Sequence, residues 1–331
     1  MSDTGGGFPS RRAMLTGGAA VLAVAGCGGA STSPSATGSP APAAKLEKRS
    51  LTIGAIQSVT ASGLYIAAQR GYFGAAGLRV TIVPTTGSGP VMTDLLNGRL
   101  DINFGNYVSF LSAQAAGVAD LRILAAGNNA AAHELEIVAA PGSPVTSAAA
   151  LRGATIGVNA LQNVATLLVS SVLAAHGVPP SAYRFTAIPF PDMAAALAAH
   201  RVDAGLLVEP FLTEARTRYH VRTVADTDQG ETAGFPISGY VATAAWARRY
   251  PHTAAAFVSA LLRGQRAAAG SRAAVEQALP HYIKISRTVA AVVVAGDFPV
   301  SVNVAQIQHV ADVMRKFGMI GHPFDVAAMI G

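Results

Sequence analysis

Short apolar runs alternate along this chain with stretches of helical spacing, and the alternation happens twice over. Residues 51–56 form one run, ending at polar Gln57 and Ser58. The pattern predicts a strand there, then a helix over 63–70 that Ser62 caps and Gly71 stops. A strand over 78–83 follows, and Pro90 behind Ser88 and Gly89 marks the start of a helix over 91–97, because the first turn does not need the missing N–H. A strand over 100–104 then leads into a helix opened by Gly105 and Asn106. The second series has strands over 154–158, 183–190 and 202–208, with helices over 164–176 and 193–200, the latter capped by Asp192. Strands alternating with helices at this spacing argue for parallel βαβ units.

The two series share a weak repeat. Residues 94–104 (DLLNGRLDINF) parallel 196–206 (ALAAHRVDAGL), with Arg99 and Asp101 matching Arg201 and Asp203. In each, a helix turns abruptly into a strand, and Asp101 and Asp203 are placed to accept backbone N–H groups at the strand start. After Tyr240 the alternation stops. Residues 241–246, 251–269, 272–279, 304–317 and 324–329 read as helices that cap one half.

The N-terminus follows a different pattern. Residues 10–16 resemble the twin-arginine export motif around Arg11 and Arg12, and residues 16–26 carry no charge. Residues 24–27 resemble a lipobox ending at Cys27, the only cysteine of the chain. The uncharged run of about a dozen residues is too short to span a hydrocarbon core of about 30 Å. It reads as a signal peptide over 1–26, with lipidation at Cys27. Acylation there leaves no thiol for a disulfide or for catalysis. Residues 27–49 are rich in Gly, Ala, Ser, Thr and Pro and read as a linker. It spans roughly 25 Å as a random coil, enough to let an anchored domain swing towards a membrane partner.

Composition adds two limits. The chain is 51% hydrophobic and 13% charged, which demands a large core. The formal charge of +6 falls to +5 when Arg11, Arg12 and Asp3 leave with the leader, and the remaining excess is scattered, so no nucleic-acid footprint is present.

In open parallel sheets, solutes sit beyond the carboxyl ends of the strands, where helix N-termini present free N–H groups. Those positions hold Gln57, Ser58, Thr60 and Ser62, then Thr86, Ser88, Gly89, Asn106 and Tyr107. The second series contributes Asn159, Gln162, Asn163, Thr166, Asp192 and Glu209. Such amides and hydroxyls hold a solute and offer little with which to transform it. Ser62, Ser88, Asn106 and Asp192 equally suit helix capping. Tyr107 and Tyr240 are candidates to stack on a solute. Glu209, among Leu207, Val208, Pro210 and Phe211, needs a donor, either an amine on the solute or a group of the protein. The eight histidines are dispersed, with neither a zinc motif nor a nucleophile elbow nor a phosphate loop, so no cofactor, metal or catalytic residue is expected.

Residues 63–106, 151–158 (LRGATIGV) and 189–211 (PFPDMAAALAAHRVDAGLLVEPF) resemble the solute-binding lipoproteins of ABC importers, in the branch for alkanesulfonates, taurine, nitrate and thiamine pyrimidine precursors. The resemblance implies an α/β, two-lobed periplasmic binding protein type II fold with a helical C-terminal cap. Its first lobe is expected over 50–137, its second over 138–238, and a return to the first over 239–331. It implies a lipid-anchored monomer outside the cytoplasm that closes on a sulfonate, taurine, nitrate or similar solute and serves ABC permease and ATPase subunits. Binding or synthesis of a thiamine pyrimidine precursor is the alternative on the same fold. The binding positions it implies are Gln57, Ser58, Ser88, Gly89, Asn106, the turn over 159–166, and Glu209. Val208 stands where many relatives carry Trp before Glu-Pro.

Overall fold

The run after Lys48 becomes β1 (Ser50–Ile56), largely buried because parallel partners flank it, β2 (Arg79–Thr85) on one side and β3 (Ile102–Asn106) on the other. This computed structural model describes residues 45–85 and 88–330. Helices α1 (Ser62–Gln69), α2 (Tyr72–Ala75) and α3 (Ser88–Leu96) make the crossovers, and α4 (Tyr107–Ala115) leads to β4 (Leu121–Asn129). The chain then leaves this sheet for β5 (Leu135–Ala139), β6 (Thr155–Val158), α5 (Val164–Ala175), β7 (Arg184–Ala187), α6 (Phe190–Ala198), β8 (Ala204–Val208), α7 (Phe211–Tyr219) and β9 (Arg222–Asp226). It returns through β10 (Pro236–Thr243) and continues into α8 (Ala244–Arg249), α9 (Pro251–Gly270), α10 (Arg272–Ala278), α11 (Arg287–Val292) and α12 (Val304–Lys316).

Two five-stranded sheets result, in the orders β2-β1-β3-β10-β4 and β7-β6-β8-β5-β9. The order is the same in both. Three parallel strands carry an antiparallel strand beside them, and that strand comes from across the connection between the halves. The mixed α/β architecture is the one expected from the alternation. Of the helices beyond β10, α9 packs against α1 and α12 against α4 of the first half, while α11 also meets α7 of the second. Two stretches depart from expectation. Residues 188–190 read as strand but lie beyond β7, with Phe190 opening α6. Residues 241–243 read as helix but belong to β10, where Val241 pairs with both β3 and β4 and Ala242 and Thr243 pair with β4. Pairing along β4 overrides the local alanine-rich pattern.

The repeat is structural. Asp101 Oδ2 accepts from Thr52 N at 2.9 Å, and Asp203 Oδ2 accepts from Thr155 N at 2.7 Å. Each preceding helix ends on a left-handed residue, Gly98 at φ 72° and His200 at φ 52°. His200 takes a conformation that an L side chain visits only at some cost. The copies differ in their surroundings. Asp101 is buried and also receives Lys48 Nζ at 2.5 Å and Trp246 Nε1 at 2.7 Å. Asp203 is exposed.

The largest apolar cluster draws on both halves, with Val108 and Leu121 from the first joined to Ile156, Leu168 and Leu206 from the second. A second cluster fills the space between the first sheet and α1, α9 and α10, and a third lies under α6 and α7.

Candidate functional site

Both sheets turn strand ends towards one cavity of about 100 Å³. Pockets for drug-sized ligands hold roughly 300–1,000 Å³, so this one suits a compact solute. From the first half come Ser58 and Thr60 behind β1 and Asn103 to Asn106 on β3; from the second come Asn159, Asn163 and Phe190 together with Leu206 and Val208 of β8. Ile237 and Ser238 on β10 complete the wall where the chain crosses between halves.

The polar groups are mostly occupied by one another. Ser58 Oγ and Thr60 Oγ1 lie 2.6 Å apart and share a hydrogen bond. Asn163 caps α5, its Oδ1 accepting from Ala165 N at 3.1 Å while Thr166 closes a capping box worth about 1 kcal/mol. Its Nδ2 donates to Asn159 Oδ1 at 3.0 Å. Asn106 caps α4, accepting from Ser109 N at 2.9 Å. Ser238 donates its hydroxyl to Asn128 Oδ1. The cap and cavity roles expected of Asn106 thus coincide in one side chain, and Asn163, expected only at the cavity, also caps.

Asn103 differs. It is 3% exposed, its side chain lines the cavity, and its Oδ1 has no hydrogen-bond partner. A buried amide oxygen without a donor costs about 1–3 kcal/mol. At the matching position of the second half stands Gly205, where an added Cβ would lie 2.6 Å from Met193 Sδ. Gly157 on β6 faces the same sulfur at 2.5 Å, so Met193 fills the second half at the level where Asn103 opens onto the cavity in the first.

Of the residues expected at the site, Ser58, Asn106, Asn159 and Asn163 line the cavity. Thr86 lies outside the described residues, as do Cys27 and the rest of 1–44, and the side chains of Ser88 and Gly89 are likewise not described. The others are placed elsewhere. Gln57 donates its amide to Tyr282 O at 2.5 Å. Ser62 does not cap α1 through its side chain; it donates back to Val59 O at 2.6 Å and meets the Tyr282 hydroxyl. Tyr107 and Tyr240 are core rather than stacking platforms. Both are buried, both hydroxyls lack partners, and burial drives both phenol pKa values up. Gln162 is exposed in a left-handed turn, and Thr166 serves the capping box. Asp192 sits inside the first turn of α6, exposed, because the helix begins at Phe190 behind Pro189.

Glu209 finds its donors within the protein. Thr213 N at 3.1 Å, Thr213 Oγ1 at 2.8 Å and Val294 N at 3.3 Å all point to its carboxylate. Burial pushes its pKa up against those bonds. Its carbonyl also accepts from Val59 N of the other half at 3.5 Å, across a cis bond to Pro210. Glu209 therefore ties the rim together and does not line the cavity. Reading strand ends alone misses Asn103, Phe190 and Ser238. The one signal for Asn103 was an amide between Ile102 and Phe104 in an otherwise apolar strand.

The family described as NMT1/THI5-like matches residues 59–272, which spans nearly all of this site. The chain belongs to that family. A comparison with curated proteins found no match. Among solved structures, the alkanesulfonate-binding protein SsuA from Xanthomonas axonopodis pv. citri, bound to MOPS, is 20% identical with a TM-score of 0.74, covering 87% of this chain and 99% of its own. The periplasmic nitrate-binding protein NrtA from Synechocystis PCC 6803 is 15% identical with a TM-score of 0.71, covering 86% and 85%. The desulfurization enzyme DSZB shares the fold at 17% identity and a TM-score of 0.66, covering 86% and 96%. At these identities the likeness is one of fold: the periplasmic binding protein type II architecture is that of this chain.

Proposed function

We propose that the protein is the extracytoplasmic solute-binding component of an ABC importer. It captures a small solute between its halves and delivers it to permease and ATPase subunits. The observation that carries this reading is the cavity itself, walled from both sheets by neutral amides, hydroxyls and hydrocarbon. The NMT1/THI5-like match and the alkanesulfonate- and nitrate-binding neighbours support it. The two lobes are the segments 50–137 and 138–238, with 239–331 returning to the first. Closure bends the chain at its two crossings, between β4 and β5 and between β9 and β10. Ser58, Asn103, Asn106, Asn159 and Asn163 contact the solute, while Glu209 sets the rim.

Residues 1–26 direct export, a lipid on Cys27 anchors the mature monomer, and the linker to residue 49 gives it reach. No helix among the described residues is long and apolar enough to cross a membrane. Synthesis of a pyrimidine precursor on this fold, the enzymatic rival, calls for a histidine at the cavity, and the described lining residues include none.

The deciding experiment is a thermal-shift and small-angle-scattering panel on the full chain. It holds taurine, alkanesulfonates, nitrate, pyrimidine precursors and uncharged amides and esters. A solute that both raises the melting temperature and shrinks the radius of gyration supports capture by closure. Turnover of a solute without compaction, or no response across all classes, defeats the reading.

A further inference from the structure

Resting on the lipid-anchored reading above, and on no property of the cavity, we infer that the second half docks on an anionic lipid surface. It does so by the end remote from the cavity, through arginines set in a row across the starts of its strands.

The parallel strands turn their carboxyl ends to the cavity, so their starts make up the opposite end of each half. In the second sheet β7, β6, β8 and β9 all start there, β9 because it and β8 both run against β5. Each start carries an arginine. Arg184 and Arg222 are the first residues of β7 and β9, while Arg152 and Arg201 stand three residues before β6 and β8. Charges scattered along the sequence are thus gathered by the fold. With neighbouring strands about 4.8 Å apart, the row from β7 to β9 is about 19 Å long.

These charges are available. All four arginines are exposed, and none is ion-paired. Arg152 donates one Nη2 to Gly177 O at 2.9 Å, Arg184 one to Thr155 Oγ1 at 3.3 Å and Arg222 one to Ser143 O at 3.2 Å. A guanidinium has further N–H donors beyond one such bond, set in a fork that matches phosphate oxygens. Arg152 and Arg184 share a groove of about 260 Å³, lined also by Ser181 and Tyr183. The neighbouring carboxylate, Asp203, is engaged by Thr155 N at 2.7 Å. At the same end of the first sheet the balance differs. There Asp94, Asp101 and Asp120 pair with Arg99 at 2.8 Å, Lys48 at 2.5 Å and Arg122 at 3.2 Å.

A single soluble phosphate engages one or two guanidiniums, whereas a row across a whole sheet end meets several headgroup phosphates together. A chain held by a lipid has such a surface permanently within reach, so contacts of modest strength suffice to seat it.

The test is co-sedimentation of the full-length chain, carrying Cys27→Ser so that no acyl group contributes, with two kinds of vesicle. One is phosphatidylcholine alone, the other equal parts phosphatidylcholine and phosphatidylglycerol. At low salt the chain is expected to partition on the order of a hundredfold more strongly onto the anionic vesicles, and high salt to abolish the excess, because exposed charges are screened. Arg152→Gln combined with Arg184→Gln is expected to lower that partition about twentyfold, at about fivefold per arginine, with the melting temperature within a few degrees. Arg266→Gln combined with Arg315→Gln removes two exposed arginines of α9 and α12 and is expected to change it less than about twofold. If the first pair fails to fold, Arg201→Gln takes its place, with a loss of about fivefold.

Equal partition onto the two vesicle types overturns the inference, as does a loss no greater than that of the α9 and α12 pair. Release from the vesicles by millimolar glycerol phosphate overturns it too, and assigns the groove to a soluble phosphate. The anchor is decided separately, by mass spectrometry of the exported chain for an acyl group on Cys27.

Discussion

Asn103 on β3 and Gly205 on β8 occupy one position in two sheets of the same strand order, each paired with a glycine of the neighbouring strand, Gly54 or Gly157. In the second half Met193 packs over both glycines so closely that a Cβ on either would displace its sulfur. In the first half the same level holds an amide facing the cavity. The Asp101 and Asp203 copies diverge in a similar way: Asp101 accepts from Thr52 N and is buried under Lys48 and Trp246, while Asp203 accepts from Thr155 N and is exposed. A shared skeleton has thus been finished differently. One half is filled at this level by Met193, and the other places a buried amide in the cavity wall and is braced from outside by the C-terminal helices.

Asp101→Ala breaks this contrast most severely. It takes the acceptor from Thr52 N, Lys48 Nζ and Trp246 Nε1 together, and about 3 kcal/mol of stability is expected to go, read from the denaturant midpoint. Copying the first half into the second, Gly205→Asn, forces a side chain against Met193 and costs about 2 kcal/mol. Solute affinity should not rise, since the new amide meets sulfur rather than cavity. A gain in affinity would show that the halves are interchangeable.

The join between the halves titrates. Glu134, fully buried in the crossing after β4, accepts from Asn128 Nδ2 at 3.2 Å and Ala131 N at 3.2 Å. Burial, helped by the carboxylates of Glu209, Asp228 and Asp226, pushes its pKa up to about 8. Between the usual carboxylate range and about pH 8 the folded chain keeps a proton that the unfolded chain has released. Stability therefore falls as pH rises through that window, by up to about 1.4 kcal/mol per pH unit. Glu134→Gln is expected to flatten the profile, measured by denaturation from pH 5 to about pH 8; an unchanged slope would assign it to other groups. The smallest effect falls on Asp203→Ala, about 1 kcal/mol for one exposed bond to Thr155 N. A loss equal to that of Asp101→Ala would mean that Lys48 and Trp246 add nothing.

Much of this skeleton is legible in the sequence because the parallel strands are short apolar runs closed by polar turns, and because Arg-aliphatic-Asp marks the same turn twice. The antiparallel members are less so. In β10, Val241 to Thr243 run into Ala244 and Ala245 without a breaker, and alanine suits either period until β4 pairs with it. At the site, position in the chain picked out Ser58, Asn106, Asn159 and Asn163, since strand ends face the cavity. It could not tell which way α4 turns Tyr107, or that Thr213 would occupy Glu209 first. Asn103 escaped because a polar residue inside a strand reveals itself only when its partners can be counted.

In the first sheet β4 touches its fellows solely through β10, a strand made more than a hundred residues later. A nascent chain that stops short of Thr243 holds β1, β2 and β3 but has no way to bind β4 to them. The N-terminal half is therefore not a module that can be excised or completed early on the ribosome. It becomes whole only after the other half has been threaded through.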